Sequence, residues 1–153
     1  MDIDEEIALL SRSRLFRDCD ADDLEVLAYT AVPVSFTPGE TIIHQNIVAD
    51  HAYYVFAGQV RLQIAGGQLP QGFAEMGDSL LLGVVSAIAG RATPWNVVAL
   101  DEVQALSWPV EDLRRFLLRV PAVSVFLLEH LTGQMVDHMN ALFAAQAEGS
   151  KQD

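Results

Sequence analysis

The chain has 153 residues, about the length of one domain, and 51% of them are hydrophobic, enough to bury a core without metals or disulfides. A net charge of −12 argues against binding to nucleic acid, which needs many Lys and Arg residues, and against docking on an anionic membrane. With one cysteine, Cys19, an acidic start, MDIDEEIALL, and no apolar run of about 18 residues, we expect a cytoplasmic protein without an intrachain disulfide, a cysteine-ligated cluster, a secretory signal or a membrane span.

The N-terminal residues predict two short helices. Residues 4–15 place acids before apolar positions, which suits the start of a helix. Asp20 is an N-cap for a second helix, with Asp23 three residues further on, and Pro33 ends that helix.

After Pro33 the apolar pattern changes to short β-prone runs separated by turns. Turns are predicted at Pro38 and Gly39, at Gly58, at Gly66 and Gly67, and at Asp101 and Glu102. Many short strands at such intervals are typical of a small antiparallel barrel or jelly roll, over about residues 32–108.

Two helices are predicted after the barrel. Pro109 opens the first, and Pro121 opens a longer one that runs to about Ala145. One face of the long helix is an apolar stripe formed by Leu128, Leu131, Met135, Met139 and Leu142. The predicted fold class is therefore α+β, a jelly roll with N-terminal helices and a long C-terminal helix. We expect one domain over residues 1–145 (C-terminal helices about 109–145) and a disordered tail over 146–153.

Four segments, in order, resemble one known family. They read LF then DADDLEVLA near the start, FTPGETIIHQN, DHAYYVFAGQVRL, and GDSLLLGVVSAIAG followed by VVAL. Over residues 10–140 the chain is similar to the cyclic nucleotide-binding domain, the sensor half of the catabolite-activator and fumarate–nitrate-reductase regulators. The last segment resembles the phosphate-binding cassette of that domain.

The cassette departs from the family's pattern at its two polar anchors. The resemblance implies a glutamate for the ribose 2′-hydroxyl after the cassette glycine, and an arginine for the cyclic phosphate further on. With Gly83 as that glycine, Val84 stands at the glutamate position and Thr93 at the arginine position, while Arg91 comes two residues early. Losing two charge-assisted contacts weakens binding by about two decades or more.

The residues at this vestigial site are Gly83, Val84, Val85, Ser86, Arg91, Thr93 and Trp95. Three interpretations stay open at this point. The apolar residues, which include Leu80 to Leu82, fill the pocket as core; or they form a pocket for an apolar or planar ligand; or a weak cyclic nucleotide site survives on Arg91, Thr93 and the backbone.

Other chemistry finds little support in the sequence. Haem-sensing relatives use an axial histidine, but His44, in a predicted strand, and His51, in a predicted loop, belong to no recognisable haem motif. His130 and His138 lie eight residues apart on the long helix, where a solvated role is favoured over a pH-sensitive one. No nucleophile with a base is recognisable, so we expect no enzyme, no metal site and no cofactor.

The sequence therefore predicts a non-enzymatic regulatory or sensor module. The resemblance implies that the long helix pairs two sensor domains, so we expect a homodimer, or a partner protein, bound through the stripe. The chain ends soon after that helix, and no DNA-reading helix-turn-helix is expected. The alternatives are a receptor for cyclic AMP, cyclic GMP or a cyclic dinucleotide with an altered cassette, and a haem-based gas sensor.

Overall fold

The computed structural model describes residues 1–64, 75–76 and 80–151. The predicted turn at Gly66 and Gly67 and the cassette residues 77–79 lie outside these ranges. The described chain folds as two facing antiparallel sheets with helices packed on one of them. This arrangement confirms the predicted fold class.

Two short helices precede the sheets, as predicted. The first, α1, spans Ile3–Arg12, and α2 spans Ala21–Thr30. The side chain of Asp20 accepts a hydrogen bond from the Asp23 N–H at 2.9 Å, which confirms the predicted N-cap.

Within the described ranges, eight strands form two four-stranded sheets. One sheet has the order β1-β8-β3-β6 and the other β2-β7-β4-β5, and the paired strands run antiparallel. The strands are β1 Val32–Phe36, β2 Thr41–Ile43, β3 His51–Ala57, β4 Val60–Gln63, β5 Glu75–Met76, β6 Leu80–Leu82, β7 Asn96–Ala99 and β8 Val103–Pro109. Apart from β4 and β5, neighbouring strands in each sheet are not consecutive in the chain, which is typical of a jelly roll.

Gly58 makes the turn between β3 and β4, as predicted. Its φ is +94°, a conformation that other residues rarely adopt. A Cβ at this position would also collide with the carbonyl oxygen of Glu102. Both requirements leave glycine as the residue that fits.

The core has two parts. Between the sheets, buried aliphatic residues include Val55, Val60 and Val97. Between the helices and the first sheet, Trp108 is fully buried, and its indole N–H donates to the carbonyl oxygen of Leu27 at 2.9 Å. The second part ties the N-terminal helices to the barrel.

Three further helices follow β6 and β8. The short α3 spans Val84–Ala89, α4 spans Val110–Arg119, and α5 spans Pro121–Lys151. Among the described residues, no single helix is long and apolar enough to cross a membrane, and α4 with α5 meets those criteria only as a pair bent by 108°.

The long helix α5 differs from the prediction at its end. It continues past the expected end at about Ala145 to Lys151, so residues 146–151, predicted as disordered, are helical. At its other end, Val123 and Leu127 are buried in the helix–sheet core. The first turns of α5 therefore belong to the domain core.

Candidate functional site

The described cassette runs from β6 through α3 to the loop before β7, residues 80–95. Gly83 joins β6 to α3 with a φ of +87°. A Cβ there would lie 2.8 Å from the carbonyl oxygen of His51 and 3.0 Å from the Cα of Ala52. The cassette glycine is therefore required both by its backbone conformation and by the close approach of β3.

The loop between β2 and β3 lies along the cassette. The Asn46 N–H donates to the carbonyl oxygen of Thr93 at 2.9 Å. The Ala49 N–H donates to the hydroxyl oxygen of Ser86, also at 2.9 Å. These bonds hold the loop, α3 and the segment after α3 in one arrangement, which the sequence pattern did not indicate.

Ser86 is the buried polar side chain at the centre of this arrangement. While its oxygen accepts from Ala49, its hydroxyl donates to the carbonyl oxygen of Arg91 at 2.9 Å. A serine hydroxyl has one proton to donate, and here the protein uses it. Ser86 therefore braces the cassette and has no proton left for a phosphate.

At the two positions where the resemblance implies a charged group, the side chains present make their contacts within the protein. Val84 is only 6% exposed at the start of α3. The Thr93 hydroxyl donates to the carbonyl oxygen of Trp95 at 3.1 Å, and Trp95 packs partly buried against the core between the sheets. Neither position offers a carboxylate or a guanidinium group to a ligand.

Arg91 is the one charged residue between positions 80 and 98. Its carbonyl is fixed by Ser86, and the residue is exposed. Within the described ranges, its guanidinium group takes part in no hydrogen bond or ion pair. Arg91 is therefore the cation that the cassette can offer to a ligand.

The border of the cassette is apolar. Val85 and Ile88 lie three residues apart on the outer face of α3, and Ile47 and Val48 lie on the adjoining loop. All four are exposed. These four residues give the cassette an apolar surface beside a single arginine.

Arg114 connects the cassette to α4, a link that sequence reasoning missed. Its guanidinium group donates to the carbonyl oxygen of Ile88 at 2.9 Å and, less closely, to that of Ala87 at 3.5 Å. A cation at this end of α3 compensates the partial negative charge of its carbonyls. Because α4 leads directly into α5, the contact joins the cassette to the base of the long helix.

The neighbouring arginines of α4 have other partners. Arg115 pairs with Glu111 and Asp112 on its own helix, and Arg119 lies 3.9 Å from the Asp23 carboxylate of α2. The arginines in these pairs are exposed to solvent, so the pairs contribute little to stability.

The apolar stripe of α5 lies away from the domain's own core. Leu131 is half-buried, and the other four members, Leu128, Met135, Met139 and Leu142, are exposed. The structure places them along one helix face, separate from the cassette residues.

The histidines differ from their predicted placement. His44 lies in the loop after β2, whereas it was predicted in a strand, and His51 opens β3, whereas it was predicted in a loop. Both side chains are exposed. Within the described part of the chain, no group of three or more His, Cys, Asp or Glu residues is placed to hold a metal.

Cys19 is a half-buried free thiol. Burial, followed by the charges of Asp23, Asp20 and Asp18, raises the pKa of Cys19 to about 11. Burial is the larger cause, and the three neighbouring carboxylates add to it. The thiol is therefore a poor nucleophile at neutral pH.

Residues 33–120 match the cyclic nucleotide-binding domain family. Cyclic nucleotide-gated channel alpha-4 of Mus musculus is 26% identical over 129 residues, 80% of this chain and 22% of that protein. The catabolite activator protein of Thermus thermophilus superposes with a TM-score of 0.71 at 21% identity, over 86% of this chain and 62% of that one. The regulatory subunit of a cAMP-independent protein kinase A from Trypanosoma brucei gives a TM-score of 0.70 at 20% identity, over 86% of this chain and 46% of that one. This chain thus spans about a fifth of the channel and under two thirds of either structural neighbour.

Proposed function

The chain belongs to the cyclic nucleotide-binding domain family, and from that premise we propose that it is a cytoplasmic, non-enzymatic regulatory module with a modified cassette. In this proposal the cassette holds no cyclic nucleotide in the usual way and needs no cofactor. The module acts by pairing with a second copy of itself through α5. The relatives found are regulatory or channel proteins, which supports a role in regulation.

The observation that carries the proposal is the buried Val84. At the position where the family resemblance implies a carboxylate for the ribose, an aliphatic side chain packs into the protein. A ribose hydroxyl placed against it would lose its hydrogen bond to water without a replacement, which costs about 1–3 kcal/mol.

A second candidate is a cyclic nucleotide receptor with an altered cassette, and Arg91 favours it. Its guanidinium group is exposed, and its backbone is fixed beside Ser86. A phosphate bound by Arg91 would compensate in part for the arginine missing at Thr93.

A thermal titration separates the two candidates. The purified protein is titrated with cyclic AMP and cyclic GMP to millimolar concentration while Tm is followed, because a ligand of the native state raises Tm by mass action. We expect no saturable shift for the natural sequence. In the Val84→Glu, Thr93→Arg double variant, which supplies both missing groups, we expect a saturable shift. A saturable shift in the natural protein that disappears in Arg91→Ala would establish the second candidate instead.

The proposed homodimer rests on the surface of α5. We call the stripe of Leu128, Leu131, Met135, Met139 and Leu142 the α5 seam. At 3.6 residues per turn, the nearby acids Glu129 and Asp137 lie roughly 100° or more around the helix from the midline of the seam. A chain of net charge −12 would repel its own copy unless the contact avoided acids, and the seam avoids them.

The size and symmetry of the seam also favour a second copy. The helix has 31 residues, so it is about 46 Å long at 1.5 Å per residue. Leucine and methionine side chains exposed at spacings of three and four suit the packing of one helix against an identical one. In a closed dimer, the apolar face of each copy is buried against the same face of the other copy.

A single added charge tests the homodimer. Met135 is 54% exposed in the protomer, so Met135→Asp should leave the fold intact while placing two carboxylates in the paired seam. We expect sedimentation equilibrium to give a dimer for the natural protein and a monomer for Met135→Asp. Asn140→Asp is the matched control, because it adds the same charge on the opposite side of α5 and should leave the dimer intact. A natural protein that is monomeric at all concentrations would contradict the proposed homodimer.

A further inference from the structure

Four exposed aliphatic side chains border the cassette. Val85 and Ile88 belong to α3, and Ile47 and Val48 belong to the loop between β2 and β3. We call these four residues the cassette patch. Apolar side chains that two segments of a chain hold together in water are typical of a surface that binds a ligand or a partner.

Hydrogen bonds around Arg91 fix where the cassette patch lies. Ser86 accepts from the N–H of Ala49 and donates to the carbonyl oxygen of Arg91, each at 2.9 Å. On the other side of Arg91, the Asn46 N–H donates to the carbonyl oxygen of Thr93 at 2.9 Å. The two patch residues of the loop stand between these two attachments in the sequence. The patch and Arg91 therefore adjoin each other.

Arg91 carries the positive charge beside the patch. It is exposed, and within the described residues its guanidinium group takes part in no hydrogen bond or ion pair. The acid of the neighbouring loop is Asp50, whose backbone carbonyl accepts from the Val110 N–H at the start of α4. In that part of the chain its carboxylate forms no ion pair with Arg91. The patch thus lies beside a cation that is available to an anion.

The other polar side chains of the cassette are already hydrogen-bonded. The hydroxyls of Ser86 and Thr93 both donate to carbonyl oxygens of the chain. A sugar carries several polar groups that would lose their bonds to water on this surface without replacement. None of the four patch residues has a ring on which a planar base could stack. The ligand that matches is one anionic group on an aliphatic chain.

We propose that the cassette patch binds an aliphatic monocarboxylate, such as a fatty acid, with the carboxylate on Arg91 and the chain on the four patch residues. A guanidinium group donates two parallel N–H bonds to a carboxylate, and the chain contributes by leaving water. The inference rests on the proposed loss of usual cyclic nucleotide binding, because a cyclic phosphate would compete for Arg91. It does not depend on pairing through α5.

The probe is labelled octanoate, kept below the concentration at which it forms micelles, and equilibrium dialysis against the whole chain measures its dissociation constant. We expect saturable binding at one site per chain. Each CH₂ that leaves water strengthens binding about fourfold, so butanoate should bind at least about tenfold more weakly. Octyl glucoside has the same chain length without the charge and should bind at least about fivefold more weakly.

Two substitutions, each with a matched control, locate the binding site. Arg91→Gln should weaken octanoate binding about fivefold or more, whereas Arg17→Gln, which removes the same charge from an exposed residue elsewhere, should not. Ile47→Ser should weaken it at least about threefold. Val32→Ser is its control, because Val32 is 57% exposed and Ile47 60% exposed, so both variants should keep the fold. Octanoate adsorbed on the α5 seam would respond to none of these changes.

The outcomes separate this inference from the proposed function. Octanoate that does not bind saturably, that binds no better than butanoate, or that binds equally well to Arg91→Gln and Ile47→Ser overturns the inference. Cyclic AMP, added to millimolar concentration, tests the proposed function in the same dialysis, and we expect it not to displace octanoate. Displacement would overturn the proposed function and leave this inference standing. Cyclic AMP that binds where octanoate does not would overturn both.

Discussion

The cassette and the outer part of α5 are both rich in apolar residues, but they differ in how many contacts they make with the rest of the domain. In the cassette, side chains and backbone are engaged within the chain, as Ser86 and Gly83 illustrate. Beyond Leu127, the leucines and methionines of α5 are exposed or half-buried. The cassette residues thus bond to one another, whereas α5 presents an apolar surface that its own domain does not cover.

The cassette residues thus stabilise the fold, whereas the exposed residues of α5 are available to bind another molecule. The contacts around Ser86 hold the cassette together, while Val84 and Thr93 stand at the positions where the family resemblance implies charged groups. The α5 seam adds nothing to the core of its own domain, so its apolar character calls for another explanation, such as a partner. Three pairs of substitutions test the comparison, each made in the Met135→Asp background so that unfolding is not coupled to dissociation.

The largest effect is expected where α5 leaves the core. Leu127 is 5% exposed and Leu128 is 61% exposed, although the two are adjacent. Leu127→Ala should lower the free energy of unfolding by about 2–5 kcal/mol, because it leaves a cavity. Leu128→Ala should change it by less than about 0.5 kcal/mol. Urea denaturation measures both, and similar losses would show that the seam packs on its own domain.

The next effect is expected at the cassette glycine. Gly83→Ala combines an unfavourable positive φ, which costs about 1–2 kcal/mol, with a Cβ pressed against the backbone of β3. Gly39→Ala is the control, because Gly39 has a similar φ of +91° and no atom within 4 Å of the added Cβ. We expect Gly83→Ala to cost at least about 1 kcal/mol more than Gly39→Ala in thermal denaturation. Equal losses of stability in the two variants would mean that the β3 backbone moves aside easily for the added Cβ. The cassette would then be less rigid than we infer.

The smallest effect is expected at the link between the cassette and α4. Arg114→Gln removes the cation from the end of α3 and should cost about 0.3–1 kcal/mol. Arg115→Gln removes only exposed ion pairs and should cost less than about 0.5 kcal/mol. Amide hydrogen exchange gives the sharper measurement, since Arg114→Gln should accelerate exchange in α3 and Arg115→Gln should not. Unchanged exchange in both would exclude a role for Arg114 in holding the cassette.

The sequence predicted most of the fold because its signals are local. Asp20 caps α2, Gly58 makes the turn between β3 and β4, and Pro109 and Pro121 lie where α4 and α5 begin. Each of these residues acts on the backbone next to it. The errors fall where local signals are weak. His44 was predicted in a strand and lies in a loop, while His51 was predicted in a loop and lies in β3. The end of α5 was predicted too early because its last residues are polar but remain helical.

The candidate site was predicted only as a set of residue types. That Val84 and Thr93 replace a glutamate and an arginine is visible in the sequence, given the family resemblance. What surrounds them is not, because Ser86 is braced by a loop residue 37 positions away and Arg114 reaches α3 from 26 positions away. The sequence by itself determined the fold class, the apolar stripe of α5 and the uncharged residues at positions 84 and 93, since these follow from residue type and period. Only the tertiary structure decided that the Ser86 hydroxyl is hydrogen-bonded within the chain, that Val84 is buried and that the α5 stripe is exposed. Burial and hydrogen bonding depend on segments that come together only when the chain folds.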